Sequence, residues 1–141
     1  VLAGDGTVFA AGYGDCQQSE AEGVVAASFD EAGTKRWGKR IERMACFDYG
    51  AALVQLDSGD LLVCGTGATN DPTRTDALFV RLDPTGKALW TQIVGDPEAR
   101  ERVEGACRLE TGEVVVVGHT KAVPAGNQDV LLLFVEPSAL P

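Results

Sequence analysis

The chain has 141 residues, enough for one domain with a hydrophobic core. Its formal net charge of −9 argues against a nucleic-acid backbone or an anionic lipid surface as partner. Hydrophobic residues make up 45%, too many for a disordered segment, and no apolar run approaches the roughly 18 residues of a membrane span.

The 17 glycines, set among short Val- and Leu-rich runs, point to many turns and many strands. The first apolar run is GTVFAAG, Gly6 to Gly12, followed by a link from Tyr13 to Glu22. VVAASFD then runs from Val24 to Asp30, a turn follows at Gly33, and the charged stretch KRWGKRI covers Lys35 to Ile41. Beyond the link Glu42–Tyr49, strands are expected over Gly50–Leu56, Leu61–Gly65, Ala77–Leu82 and Lys87–Val94. Gly59 in the turn Asp57-Ser58-Gly59 supplies the positive φ of a tight hairpin. In Asp83-Pro84-Thr85-Gly86, Pro84 presets φ and Gly86 takes the left-handed position. Leu61–Gly65 is apolar at successive positions, so both its faces should be buried. The fourth strand of each set is the most charged, which suits an exposed edge. After the link Gly95–Arg102 come Val103–Leu109, a turn at Gly112, GEVVVVG, the link His119–Gln128, and VLLLFVE from Val130 to Glu136.

These elements recur. Gly6, Gly59 and Gly112 stand 53 residues apart, and at that spacing GTVFAAG falls on GDLLVCG and GEVVVVG without a gap. Gly33 falls on Gly86 and Trp37 on Trp90, while Gly23, Asp76 and Asp129 each open an apolar run. The chain therefore reads as one segment, residues 1–141, with repeats at 1–49, 50–102 and 103–141. Four antiparallel strands per repeat, with buried inner strands and a charged outer edge, describe an all-β protein of β-propeller blades. The order turn, apolar strand, Gly, variable loop, Asp, apolar strand, Leu-Asp-x-x-Gly, Trp resembles the bacterial β-propeller repeats of the SBBP type. It is also similar to the propeller repeats of pyrroloquinoline-quinone enzymes. The third copy departs from this pattern, with Ala139 for Gly and no Trp.

About 2.7 repeats of roughly 53 residues are present, whereas propellers close with roughly four to eight blades. An incomplete ring is expected: the missing blades come either from a longer polypeptide or from other copies of the chain. The chain also opens on Val1 rather than Met, which we read as the mark of a processed or excerpted chain.

Cys16 and Cys46 lie in expected links of one copy, and both are absent from the next, as two bonded partners would be. Such a disulfide would imply an oxidising compartment, extracellular or in the cell envelope. Cys64 and Cys107 read as small core hydrophobes.

Antiparallel order puts the tight turns at one end and the long, variable links at the other. Variable loops on a rigid scaffold are the usual place for binding. The candidate binding residues there are Tyr13, Asp15, Thr66, Asn70, Asp71, Asp76, Arg100, Arg102, His119 and Asp129. Asp76 and Asp129 could hold a cation around an axis or could simply cap local turns. Asn70, Asp71 and Asp76 have the composition of a calcium loop without its spacing; no other cofactor and no zinc site is suggested. His119, the sole histidine, has no nucleophile or carboxylate in a recognisable motif, so no catalysis is expected. Arg100, Glu101 and Arg102 read as a solvated loop, and Trp37 and Trp90 as packing anchors.

The expected function is a non-catalytic binding or scaffold module that holds a protein or glycan partner on the loop face. Two alternatives stand beside it. Part of a quinone-dependent dehydrogenase, as one resemblance implies, would require the quinone, usually with calcium. A lectin-like propeller would require equivalent loops in each blade.

Overall fold

The computed structural model describes residues 1–16, 19–41, 48–71, 74–122 and 126–137. Among them are ten strands and no helix. They are β1 (Val8–Cys16), β2 (Ser19–Phe29), β3 (Lys35–Ile41), β4 (Tyr49–Gln55), β5 (Leu61–Ala68), β6 (Thr75–Leu82), β7 (Ala88–Val94), β8 (Ala99–Arg108), β9 (Val114–Ala122) and β10 (Gln128–Val135). Each strand pairs antiparallel with its chain neighbour inside one of three sheets: β1-β2-β3, β4-β5-β6-β7 and β8-β9-β10. The repeat is kept in the structure, since β1, β5 and β9 start at Val8, Leu61 and Val114, 53 residues apart. Only the middle sheet has all four strands. Among the described residues, the leading edge of the first sheet carries only the Leu2–Val8 bridge, and no strand follows β10 in the last sheet.

Local chemistry explains the tight turns. Gly6, Gly33, Gly59, Gly86 and Gly112 all have φ between 81° and 94°, a region a side chain strains to enter. Asp83 Oδ1 accepts hydrogen bonds from the Thr85 and Lys87 amides at 2.8 and 3.0 Å, and Asp30 Oδ1 accepts one from the equivalent Thr34 amide. The Thr85 hydroxyl and these amides hold the Asp83 carboxyl below its ordinary range.

The sheets stack face to face through two cores. Phe9, Val24, Ala26 and Ile41 of the first sheet meet Leu61, Val63, Leu78, Val80 and Leu82 of the middle one. The other face of the middle sheet, carrying Val54, Leu62, Cys64, Ala77 and Phe79, meets Val103, Val114, Val116 and Val135. Alternate residues of β5 and β6 thus serve opposite cores, which is why those strands are apolar at successive positions. Trp37 ties the first sheet to the second: its Nε1 donates to Pro84 O at 3.0 Å, and its ring covers Gly86. Trp90, one repeat on, packs against the second core with its Nε1 buried and unpartnered.

Three expectations change. β5 and β9 run through Gly65 and Gly118, so the strands are longer and the links shorter than the sequence indicated. These glycines do not end strands; they admit the neighbouring strand at a bulge, where a Cβ would overlap the carbonyl oxygen of Tyr49 or Arg102. Arg100, Glu101 and Arg102 lie on β8 rather than in a loop. Cys107 is exposed, because its face of β8 has no sheet over it, whereas the equivalent Val54 is buried. Cys64 is buried as expected, and burial pushes its thiol up to about 12. The Cys16–Cys46 bond lies outside the described residues.

Candidate binding face

The strand ends at β1–β2, β5–β6, β7–β8 and β9–β10 carry the residues singled out from the sequence. Tyr13, near the end of β1, is exposed and meets Tyr49 edge to face at 5.0 Å. Asp15 stands opposite Glu22 in the backbone register of the β1–β2 hairpin. Asn70 and Asp71 occupy an exposed turn in which the Asp71 amide donates to Thr69 Oγ1 at 3.1 Å. Arg100 and Asp129 are exposed on their strands. Arg102 pairs with Glu104 at 3.0 Å, and His119 Nδ1 lies 3.6 Å from the same carboxylate. Thr66 is different: it is buried, and its Oγ1 accepts the Val103 amide at 3.0 Å. It fastens the middle sheet to the last.

Asp76 belongs to a group that the sequence did not bring together. Asp76 and Glu101 are 8% and 6% exposed. Both crowd the backbone of Gly95, where a Cβ would overlap each of them. Glu101 Oε1 accepts the Asp96 amide at 3.1 Å, and the Glu101 carbonyl accepts from Thr75 Oγ1 at 2.9 Å. Arg74 Nη2 donates to the Asp96 carbonyl at 3.0 Å. Asp76 Oδ1, Glu101 Oε2 and Arg74 Nε remain buried without partners. Burial is the main reason both carboxyls lie above their ordinary range, with the Asp96 charge adding to each and Arg74 opposing it. Glu101 escaped notice because a carboxylate between two arginines reads as surface. Its place in the buried series Ala99, Glu101, Val103 was the available signal.

Chemically, this end of the stack offers exposed hydroxyl, amide and charged groups around a packed carboxyl pair. Among the described residues, no three His, Cys, Asp or Glu side chains converge to hold a metal ion. Two clefts lie elsewhere. One, of about 490 Å³, is at the tight-turn end between the middle and last sheets, lined by Leu56, Asp57, Ser58, Arg81, Thr111 and Glu113 among others. Its Arg81 is held by Asp60, with Nε and Nη2 donating to Oδ2 at 2.9 and 2.7 Å. The second, of about 400 Å³, runs along Lys39, Arg40, Thr85 and Lys87. Sequence reasoning found neither, because each joins residues of two repeats.

Compared with known proteins, the chain matches no family model and no curated sequence.

Proposed function

We propose that the chain is a non-catalytic binding or scaffold module in which the three sheets act as β-propeller blades. In this reading they are part of a ring of the SBBP-like kind, and a protein or glycan partner is held at the loop end, outside the cell or in its envelope. One observation carries it: equivalent positions repeat at the tight-turn end and diverge at the loop end. Gly6, Gly59 and Gly112 share one backbone conformation, whereas Tyr13 and His119, which stand at one position of the repeat and both reach the surface, differ in chemistry. A scaffold that repeats where it folds and varies where it is exposed is built for recognition rather than for one reaction.

The test compares three forms of the chain: wild type, a loop-end variant (Tyr13→Ala, Asn70→Ala, Arg100→Ala) and a turn-end variant (Ser58→Ala, Thr111→Ala). Each is screened on a glycan array and in cross-linking to proteins of the source cells. Capture lost only in the loop-end variant is the expected result. Capture unaffected by that variant, or no capture by any form, overturns the reading.

A further inference from the structure

The outer face of the last sheet is apolar and open. Four rows cross it: Cys107, Val115 and Phe134; Gly105, Val117 and Leu132; Arg102, His119 and Val130; and Arg100, Lys121 and Gln128. Val130 is 83% exposed, Phe134 64%, Leu132 51% and Val117 43%. Charged and polar groups gather in the last two rows, at the loop end, with Glu104 beside Arg102 and His119.

The repeat shows what covers such a face. One repeat earlier, five of these positions are Val54, Leu62, Cys64, Ala77 and Phe79, all buried in the core shared with Val103, Val114, Val116 and Val135 of the next sheet, while Phe134 falls on Arg81 at the edge of the cleft. A sheet of the same repeat is therefore the partner whose shape fits. The chain carries such a surface at its other end. Phe9, Val24 and Ala26 of the first sheet point into the core, so by strand alternation Val8, Ala10, Val25, Ala27 and Phe29 point away from it. Among the described residues no sheet covers them, and the row at the centre of the face is small, with Ala10 opposite Ala27. Bulky Leu132 and Phe134 on one face and alanines on the other can interdigitate as core layers do.

We infer that the last sheet docks on the first sheet of a second copy of the chain. Two copies joined this way at both ends form a two-fold ring of six sheets, within the roughly four to eight of known propellers. The inference rests on the blade reading above, but not on the ligand-binding part of it. Its variants lie on the sheet faces, so either idea can fail without the other.

The experiment is sedimentation velocity on the purified chain across a dilution series, with peptide-resolved alkylation of Cys107. A species of twice the 14.8 kDa chain mass is expected, with Cys107 labelling lost as that species forms. Leu132→Asp and Ala27→Arg should each leave a folded monomer by circular dichroism. Mixing the two variants should restore a pair, because one intact last-sheet face then meets one intact first-sheet face. A folded wild-type monomer at every concentration overturns the inference. So does a pair disrupted by Leu132→Asp but not by Ala27→Arg, since the last sheets would then pair with each other. The Cys107 readout needs no variant, so it decides even where a substitution unfolds the chain.

Discussion

Gly33 and Gly86 hold nearly the same φ, 83° and 82°, in equivalent turns, but only Gly86 lies under a tryptophan. Gly33→Ala should cost about 1–2 kcal/mol, the strain of a side chain in the left-handed region. Gly86→Ala carries the same strain and also sets a methyl group 2.8 Å from the Trp37 ring, so it should cost about 1–3 kcal/mol more. Urea denaturation of both variants measures the gap; equal losses would mean that Trp37 is not seated on that turn. The third copy has Ala139 at this position, and Trp90 is the tryptophan whose indole nitrogen lacks a partner. Asp76 and Glu101 set a second residue-scale expectation. A carboxyl whose pKa folding raises keeps its proton in the native state where the unfolded chain has lost it. The native state then binds more protons, and stability falls as pH rises from the ordinary values of 3.8 for Asp76 and 4.5 for Glu101 through the raised ones. Asp83, with a lowered pKa, works the other way and weakens the fold as pH falls below its ordinary range. The double variant Asp76→Asn, Glu101→Gln removes only the first contribution. Measured against wild type, its relative stability should be greatest at neutral pH and shrink on acidification. A difference independent of pH would show that the pair is not destabilised by its charge.

At the scale of the strand, Gly65 and Gly12 occupy one position of the repeat with opposite surroundings. Gly65 faces the backbone of β4, where a Cβ would overlap the Tyr49 carbonyl; nothing lies within 4 Å of the corresponding point on Gly12, because no described strand flanks β1 on that side at Gly12. Gly65→Ala should therefore cost about 3 kcal/mol or more by forcing β4 away. Gly12→Ala should stabilise by about 0.5–1 kcal/mol, the entropy a strand glycine forfeits. Thermal unfolding of the two variants checks the sign as well as the size. This pair also shows where sequence reasoning stops. The 53-residue spacing, the turn glycines and the apolar runs were legible because each depends on neighbours in the chain, and the strand order within each sheet follows from them. Gly65 and Gly118 looked like strand ends because glycine breaks an apolar run, and only the bulge with the preceding strand explains them. Glu101, Thr66 and Arg81 were misread or missed for the same reason. Thr66 reaches Val103, Glu101 crowds Gly95, and Arg81 borders a cleft closed by the next repeat, none of which a local pattern records.

Across the whole molecule, the stack behaves as a chain of sheets in which each core is shared by neighbours only. The middle sheet belongs to both cores and each outer sheet to one, so stability should be highest in the middle and fall toward both ends. Hydrogen exchange can read this directly on β5 and β9, which are equivalent, central in their sheets and bonded on both edges. At concentrations where the chain is monomeric, β5 amides should exchange through global unfolding. Those of β9, with Val115 and Val117 on an uncovered face, should exchange faster through local opening. Raising the concentration should slow β9, because its opening then requires the docked sheet to leave, and β5 should slow with it, because global unfolding also requires the pair to separate. Edge strand β10 should respond in the same direction. If β5 and β9 exchange alike in the monomer, the open face costs the last sheet nothing, and the reason for expecting a partner over Leu132 and Phe134 is gone.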